Sequence, residues 1–480
     1  MNILMASSEA LPFSKTGGLA DVSYSLSKEF AKLNNNVSLV IPFYKGIESK
    51  INKKLTKVLS YNVKMNWRNN ICDVYHIYYE NIDFYLIKNE QYFDRDNGLY
   101  GYYDDGERFA FFQLAIIELI KKLPYRIDVV HVHDWQTGMI PCLLKTKYSN
   151  HKVLSKIKTV LTIHNPLFKG YIFRESLFDL YNLPLSLFDC GKVRLDNLVS
   201  TLKSGIVFSD KITTVSITHR DELLTLEGSK GLQYDLILRE YDFVGINNGV
   251  DEKEFNPRKD KKIYSKYNLS NVDNLKSLNK VDFCKVNCLN PDVPLFVVVS
   301  RLTEQKGLSV MYPMALEVIN KGGNFAILGS GEFEAESFFN KLYKEHKDNS
   351  FVYIGYNDDL AHKLYAASDF FIMPSAFEPC GIGQMIAHRY GSIPIIRKTG
   401  GLIDTVNCLN IDYSNYLSAN GIGFNDLDTN EAINSIDRAF DLYNNYFELF
   451  KKMRLNAMRA NHSWKLSAKK YLDLYSSINK

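Results

Sequence analysis

The chain has 480 residues, with 58 Lys or Arg against 54 Asp or Glu and a formal net charge of +4. That length exceeds what one ordinary hydrophobic core organises, so two domains are expected. Apolar residues make up 46% and charged residues 23%, as in a folded globular protein, and no dense basic block marks a nucleic-acid surface.

The first buried-strand pattern, "NILMA", begins at Asn2. It leaves no room for a secretory leader, and no apolar run reaches the ~18 residues of a membrane span. Seven cysteines scattered through a large chain argue against a disulfide framework and for a reducing compartment. A cytoplasmic protein with no membrane partner is expected.

A loop, "LPFSKTGG", follows that strand and leads into a helical pattern. It carries Lys15 and Gly17-Gly18 but no dinucleotide fingerprint and no P-loop. Further along, residues 34–44, 83–89, 127–135 and 158–165 read as buried strands, and 106–123 repeats apolar residues at helical spacing. The alternation predicts a parallel sheet with helices on both faces. It restarts at 294–300, 324–331, 351–356, 370–375 and 393–398. The reading is therefore α/β, two doubly wound Rossmann-like domains facing across a deep cleft: 1–245, 246–460, and an amphipathic helix at 461–480 that returns to the first domain. The connector is the turn-rich stretch 244–257.

Ligands of open α/β sheets bind beyond the carboxyl ends of strands. Arg301 and Lys306, in "SRLTEQKG", follow one such strand, where they can grip a diphosphate or form surface salt bridges. In "EPCGIGQMIAHR", Glu378 stands before a Gly-rich turn into a helix; it can face a ligand or cap the helix. His131 and His133 share a strand face and read as satisfied polar residues, whereas His164 in "TIHN" is either structural or a substrate contact. Asp94 and Asp96 form an Asp-x-Asp pair for which chance is the simpler account. No metal is expected.

The segments "KTGGLADV", "HDWQTG", "NNGVD", "SRLTEQKG", "IGYNDDLAH", "FEPCG" and "RKTGGLIDTV", in this order, resemble the bacterial glycogen synthases and plant starch synthases over nearly the whole chain. The resemblance implies the GT-B glycosyltransferase fold. It also implies transfer of glucose from ADP-glucose to the non-reducing 4-hydroxyl of an α-1,4-glucan, with retention and with no cofactor. By the same resemblance Lys15 reaches the donor nucleotide, Arg301 and Lys306 hold the diphosphate, His164 lies near the transferred glucose, and Glu378 is the active-site glutamate. Gly18, Asp21, Asp134, Asn165, Asn248, Tyr356, Cys380 and Gly381 fall on substrate-binding positions. The chain departs from the family pattern at Ala376, where Arg is usual, and at Gly383. The rival readings are a UDP-glucose-dependent retaining GT-B glucosyltransferase and a weakly active glucan-binding homologue. Oligomeric state is not legible in the residues.

Overall fold

Short apolar runs bounded by Gly, Asn and Asp become the strands of two separate sheets. The computed structural model describes residues 1–51 and 54–479. The chain divides into one unit comprising Met1–Ile246 with the tail from Trp464, and a second comprising Asn247–Ser463.

The first unit contains β1 (Asn2–Ala6), β2 (Asn36–Pro42), β3 (Thr56–Met65), β4 (Arg68–Tyr79), β5 (Ile82–Lys88), β6 (Val129–His133) and β7 (Lys158–Ile163). The short strands β8 (Tyr171–Ile172), β9 (Arg194–Leu195) and β10 (Leu198–Ser200) form a small sheet, and β11 (Lys211–Thr214) and β12 (Phe243–Gly245) complete the set. The main sheet runs β12-β11-β7-β6-β1-β2-β5-β4-β3. From β12 to β5 the pairings are parallel, while β3, β4 and β5 pair antiparallel.

That antiparallel extension departs from the all-parallel sheet expected from the sequence. Its cause is local. β3 buries Tyr61, Val63 and Met65 while the residues between them stay exposed, the one-sided pattern of an antiparallel strand. Asn66 then turns the chain with φ of 52°.

Parallel register sets Met5 beside His131 and His133 beside Thr162. The carboxyl ends of β1, β6 and β7 therefore lie side by side. The tail helix, Trp464–Ile478, belongs to this unit. Its Tyr471 and Tyr475 rings pack on Phe30 at 6.3 and 5.5 Å, and Tyr475 and Ala468 are fully buried.

The second unit holds β13 (Leu295–Val299), β14 (Asn324–Gly329), β15 (Ser350–Ile354), β16 (Phe370–Met373), β17 (Ile393–Arg397) and β18 (Ile422–Phe424). They form a parallel sheet in the order β15-β14-β13-β16-β17-β18. Phe296 stacks between Phe370 and Phe440, at 4.8 and 5.2 Å, in the centre of its core. Beside that core, buried Asp369 takes Lys280 at 2.6 Å and Arg454 at 3.3 Å, and accepts the Leu295 N–H at 3.0 Å. Among the described residues no helix is long and apolar enough to cross a membrane.

Candidate active site

The loop after β1 begins with three small or acidic buried residues, Ser7, Ser8 and Glu9. Glu9 accepts hydrogen bonds from the Thr16 N–H at 2.6 Å and the Thr16 hydroxyl at 3.0 Å, which pins the middle of the Lys15 loop. Burial pushes the Glu9 carboxyl up to about 6, against the lowering effect of those bonds. Lys15 is exposed at 44% of its side chain and pairs with Asp21 at 2.9 Å. Burial raises Asp21 above the ordinary carboxylate range, and Lys15 opposes that rise.

Gly18 opens the Gly18–Lys32 helix, and Gly17 caps it with an ordinary extended φ of −152°. A Cβ at Gly18 would meet nothing within 4 Å. The polypeptide itself thus does not require glycine there, and the space in front of the loop is open.

The β6 and β7 exits are tied together. Asp134 sits at φ 54°, ψ −164°, a strained conformation for a residue with a side chain. Its Oδ1 accepts the His164 N–H at 2.7 Å and the Asn165 N–H at 3.5 Å. Burial drives the Asp134 carboxyl up to about 7, with the two backbone bonds pulling the other way. His164 Nε2 lies 2.9 Å from His133 Nδ1. His131 is bonded on both nitrogens, to the Thr162 hydroxyl at 2.6 Å and the Tyr475 hydroxyl at 2.6 Å. Burial holds His131 and His164 down to about 3 and His133 well below its ordinary value, so all three rings are neutral near pH 7.

In the second unit the relevant exits are again neighbours. Gly307, at φ 77°, lets the β13 exit lie against the β16 exit; a Cβ there would sit 2.0 Å from the Pro374 carbonyl. Gln305 stitches the two loops together: its carbonyl accepts the Ala376 N–H at 3.0 Å and its side chain donates to the Phe377 carbonyl at 3.3 Å. This brings Lys306 Nζ to Glu378 Oε2 at 2.5 Å, in a pair that is largely buried. Ser375 donates to the same oxygen at 3.0 Å. Arg301 stays exposed, with one long bond to Gln305 at 3.4 Å.

Cys380 is buried and its thiol is pushed up to about 12, so it is an inert thiol rather than a nucleophile. Gly381 has φ of 74°, and a Cβ there would collide with the Gln384 amide oxygen at 2.6 Å. Tyr356 follows β15 and is 82% exposed. Asn248 is buried, and its Oδ1 has no hydrogen-bond partner among the described residues.

The geometry thus gathers Lys15, Gly18, Asp21, Asp134, Asn165 and His164 on adjacent strand exits of the first unit. It gathers Arg301, Lys306, Glu378, Cys380 and Gly381 on adjacent exits of the second, with Tyr356 at the exit of β15. Asp96 pairs with Lys45 at 2.7 Å, and both Asp94 and Asp96 are exposed. The helices opened by Gly383 and Gly400 have only 7 and 6 residues. Helices this short align few peptide dipoles. Sequence reasoning passed over Glu9, Gln305 and Ser375. Only Glu9 carries a signal, as an acidic residue inside a run of small buried ones.

Two Rossmann-like units with these exits define the GT-B class of glycosyltransferases. The starch synthase catalytic domain family matches residues 2–238, and the glycosyl transferases group 1 family matches residues 282–440. The glycogen synthase of Clostridium kluyveri is 42% identical, with 100% of both chains covered; that of Anoxybacillus flavithermus is 40% identical, covering 100% of this chain and 98% of its own. The catalytic domain of starch synthase IV from Arabidopsis thaliana, solved with ADP and acarbose, superposes with a TM-score of 0.90 at 30% identity, covering 100% of this chain and 99% of that one. Sucrose-phosphate synthase from Thermosynechococcus elongatus, at 16% identity and a TM-score of 0.59 over 99% and 98%, shares the fold. The chain belongs to the glycogen and starch synthase family.

Proposed function

We propose that this protein transfers glucose from ADP-glucose to the non-reducing 4-hydroxyl of an α-1,4-glucan with retention of configuration, in the cytoplasm. The observation that carries the reading is the placement of Lys306, Arg301 and Glu378 on neighbouring strand exits in a chain of this family. The ADP and acarbose held by the starch synthase IV relative support a nucleotide donor and a glucan acceptor.

In this reading the first unit is the acceptor side and the second the nucleotide-sugar side. The bond that breaks joins the anomeric carbon to a diphosphate oxygen. Arg301 and Lys306 stabilise the charge that gathers on that oxygen, a role for fixed cations that needs no metal. The acceptor 4-hydroxyl attacks the anomeric carbon on the face the diphosphate leaves. Its proton passes to the departing phosphate oxygen. Glu378 holds donor sugar hydroxyls and keeps Lys306 in place. His164, neutral and fixed by His133 and Asp134, presents its ring or carbonyl to the sugar as positive charge develops. Lys15 reaches the donor nucleotide from the open Gly17-Gly18 loop, beside Asp21. Gly18 leaves room for close approach, and Asp134 and Asn165 line the acceptor side. Asn248, Tyr356, Cys380 and Gly381 line the donor side, with the unpartnered Asn248 Oδ1 as a ready acceptor.

The test is a coupled assay of ADP and UDP release, with glycogen present and absent. Glycogen-dependent release from ADP-glucose, faster than from UDP-glucose, is the expected result. Preference for UDP-glucose would replace the donor, and glycogen binding without nucleotide release would replace the enzyme by a glucan-binding protein.

A further inference from the structure

Helix Asp358–Ala367 sets Asp358 and His362 four residues apart, on one face. Glu254, exposed on the connector that follows β12, completes a group whose ligand atoms all lie within 4.8 Å of one another. His362 itself is 1% exposed. Its Nδ1 lies 2.7 Å from Asp260 Oδ2, and its ring is stacked on Phe255 at 4.9 Å. Asp260 is in turn fixed by the Tyr390 hydroxyl at 2.5 Å and the Lys262 N–H at 2.8 Å.

A carboxylate can only accept, so the proton of the neutral imidazole sits on Nδ1 and the lone pair on Nε2. That Nε2 is buried and has no hydrogen-bond partner among the described residues. It is the nitrogen not held by Asp260, in the ring that supplies one ligand atom to the group with Glu254 and Asp358. A histidine oriented by a carboxylate on one nitrogen, with its other nitrogen unpartnered among the described residues and two further carboxylates grouped with the ring, has the outer-shell arrangement of metal-ligating imidazoles.

We propose that Glu254, Asp358 and His362 bind a divalent transition-metal cation, with Zn²⁺ favoured by one imidazole and two carboxylates and a fourth position left to water. Bonds of about 2.0–2.2 Å require the ligand atoms to draw in to roughly 3.3 Å. Glu254 is exposed and Asp358 half-buried, so side-chain rotation supplies that movement. One competitor is Lys262, whose ammonium contacts Asp358 and lies 3.4 Å from Asp359. The metal displaces it from Asp358 onto Asp359. The site is structural: it ties the connector bearing Asn248 to the Asp358 helix, both within the second unit.

The experiment is calorimetric titration of the full chain, dialysed first against EDTA, with Zn²⁺. It is paired with Co²⁺ absorption, whose intense visible bands report four-coordinate geometry. One stoichiometric site with micromolar or tighter affinity is expected. The double variant Glu254→Gln, Asp358→Asn keeps the buried His362–Asp260 pair and should lose that site, with affinity down at least tenfold. Lys262→Met removes the competing cation and should tighten binding several-fold. Absence of a stoichiometric site, or one whose affinity the double variant leaves unchanged, overturns the proposal, as does weaker binding in Lys262→Met.

Discussion

Lys306 and Glu378 neutralise each other, so removing either leaves an uncompensated charge with little access to water. Such a change lowers stability by about 3–5 kcal/mol as well as activity, and the two effects must be measured together. Arg301 is the cleaner probe. It is exposed and makes one long bond, so Arg301→Ala should keep the melting temperature within about a degree while kcat/KM falls roughly 10²-fold, or about 2.7 kcal/mol. Wild-type kcat/KM in that variant sinks the diphosphate role. Lys15 separates the same way. Its pair with Asp21 is half-exposed and contributes at most about 1 kcal/mol to folding. Lys15→Ala should therefore melt nearly as the wild type while ADP-glucose affinity falls about tenfold by calorimetry; unchanged affinity refutes the donor contact. The positions of Arg301 and Lys306 after a strand were legible in the residues, but local pattern left a diphosphate grip and a surface salt bridge equally open, and the roles assigned to them and to Lys15 came from the family resemblance. Glu9 carried a signal as an acidic residue in a run of small ones, but its task did not, since its partner Thr16 is reached only by the return of the loop.

At the scale of elements, β1, β2, β6 and β7, buried on both faces, were legible as short runs rich in Val, Leu and Ile, whereas β11, equally buried but reading KITT, was not. The β3–β4 hairpin was not, because polar residues interrupt its one-sided pattern. The histidines of β6 show a second limit. Their shared face followed from period two, but their partners come from β7 and from the tail helix, which no local pattern reveals. This arrangement predicts a pH dependence. His131 is held down to about 3 against an ordinary value near 6.5, so the folded ring stays neutral while the unfolded one gains a proton as pH falls. The unfolded chain binds more protons through that window. Stability of the first unit should therefore fall between about pH 6.5 and pH 3, by up to about 1.4 kcal/mol per pH unit for each such ring. His131→Asn should flatten that slope in urea titrations at pH 7, 6 and 5; a slope unchanged by the substitution refutes the assignment. Tyr475→Phe tests the partner. It strips His131 Nδ1 of its hydroxyl in a buried site and should cost about 1–3 kcal/mol.

On the scale of the whole chain, each unit has its own core, and the two are not built from the same kind of sequence segment. The second unit is one continuous stretch. Its buried Asp369 gathers Lys280 and Arg454, from positions 89 residues before and 85 after it, so the network was invisible to any reading of local pattern. The first unit is discontinuous: it needs the last helix of the chain. Trp464, Tyr471 and Tyr475 are 5%, 1% and 0% exposed in it. Burying three such side chains stabilises the fold by about 1.5–3 kcal/mol each. Their sum, roughly 5–9 kcal/mol, rivals the about 5–15 kcal/mol by which whole domains are stable. A chain ended at Ser463 should consequently lose the fold of its first unit. The second unit contains none of the deleted residues and should keep its own. Hydrogen exchange read by mass spectrometry distinguishes the two. In the truncated chain, amides of β1, β6 and β7 should exchange within minutes, while those of β13, β14 and β16 keep wild-type protection. Protection retained across β1, β6 and β7 would show that the tail helix decorates the first core rather than completing it.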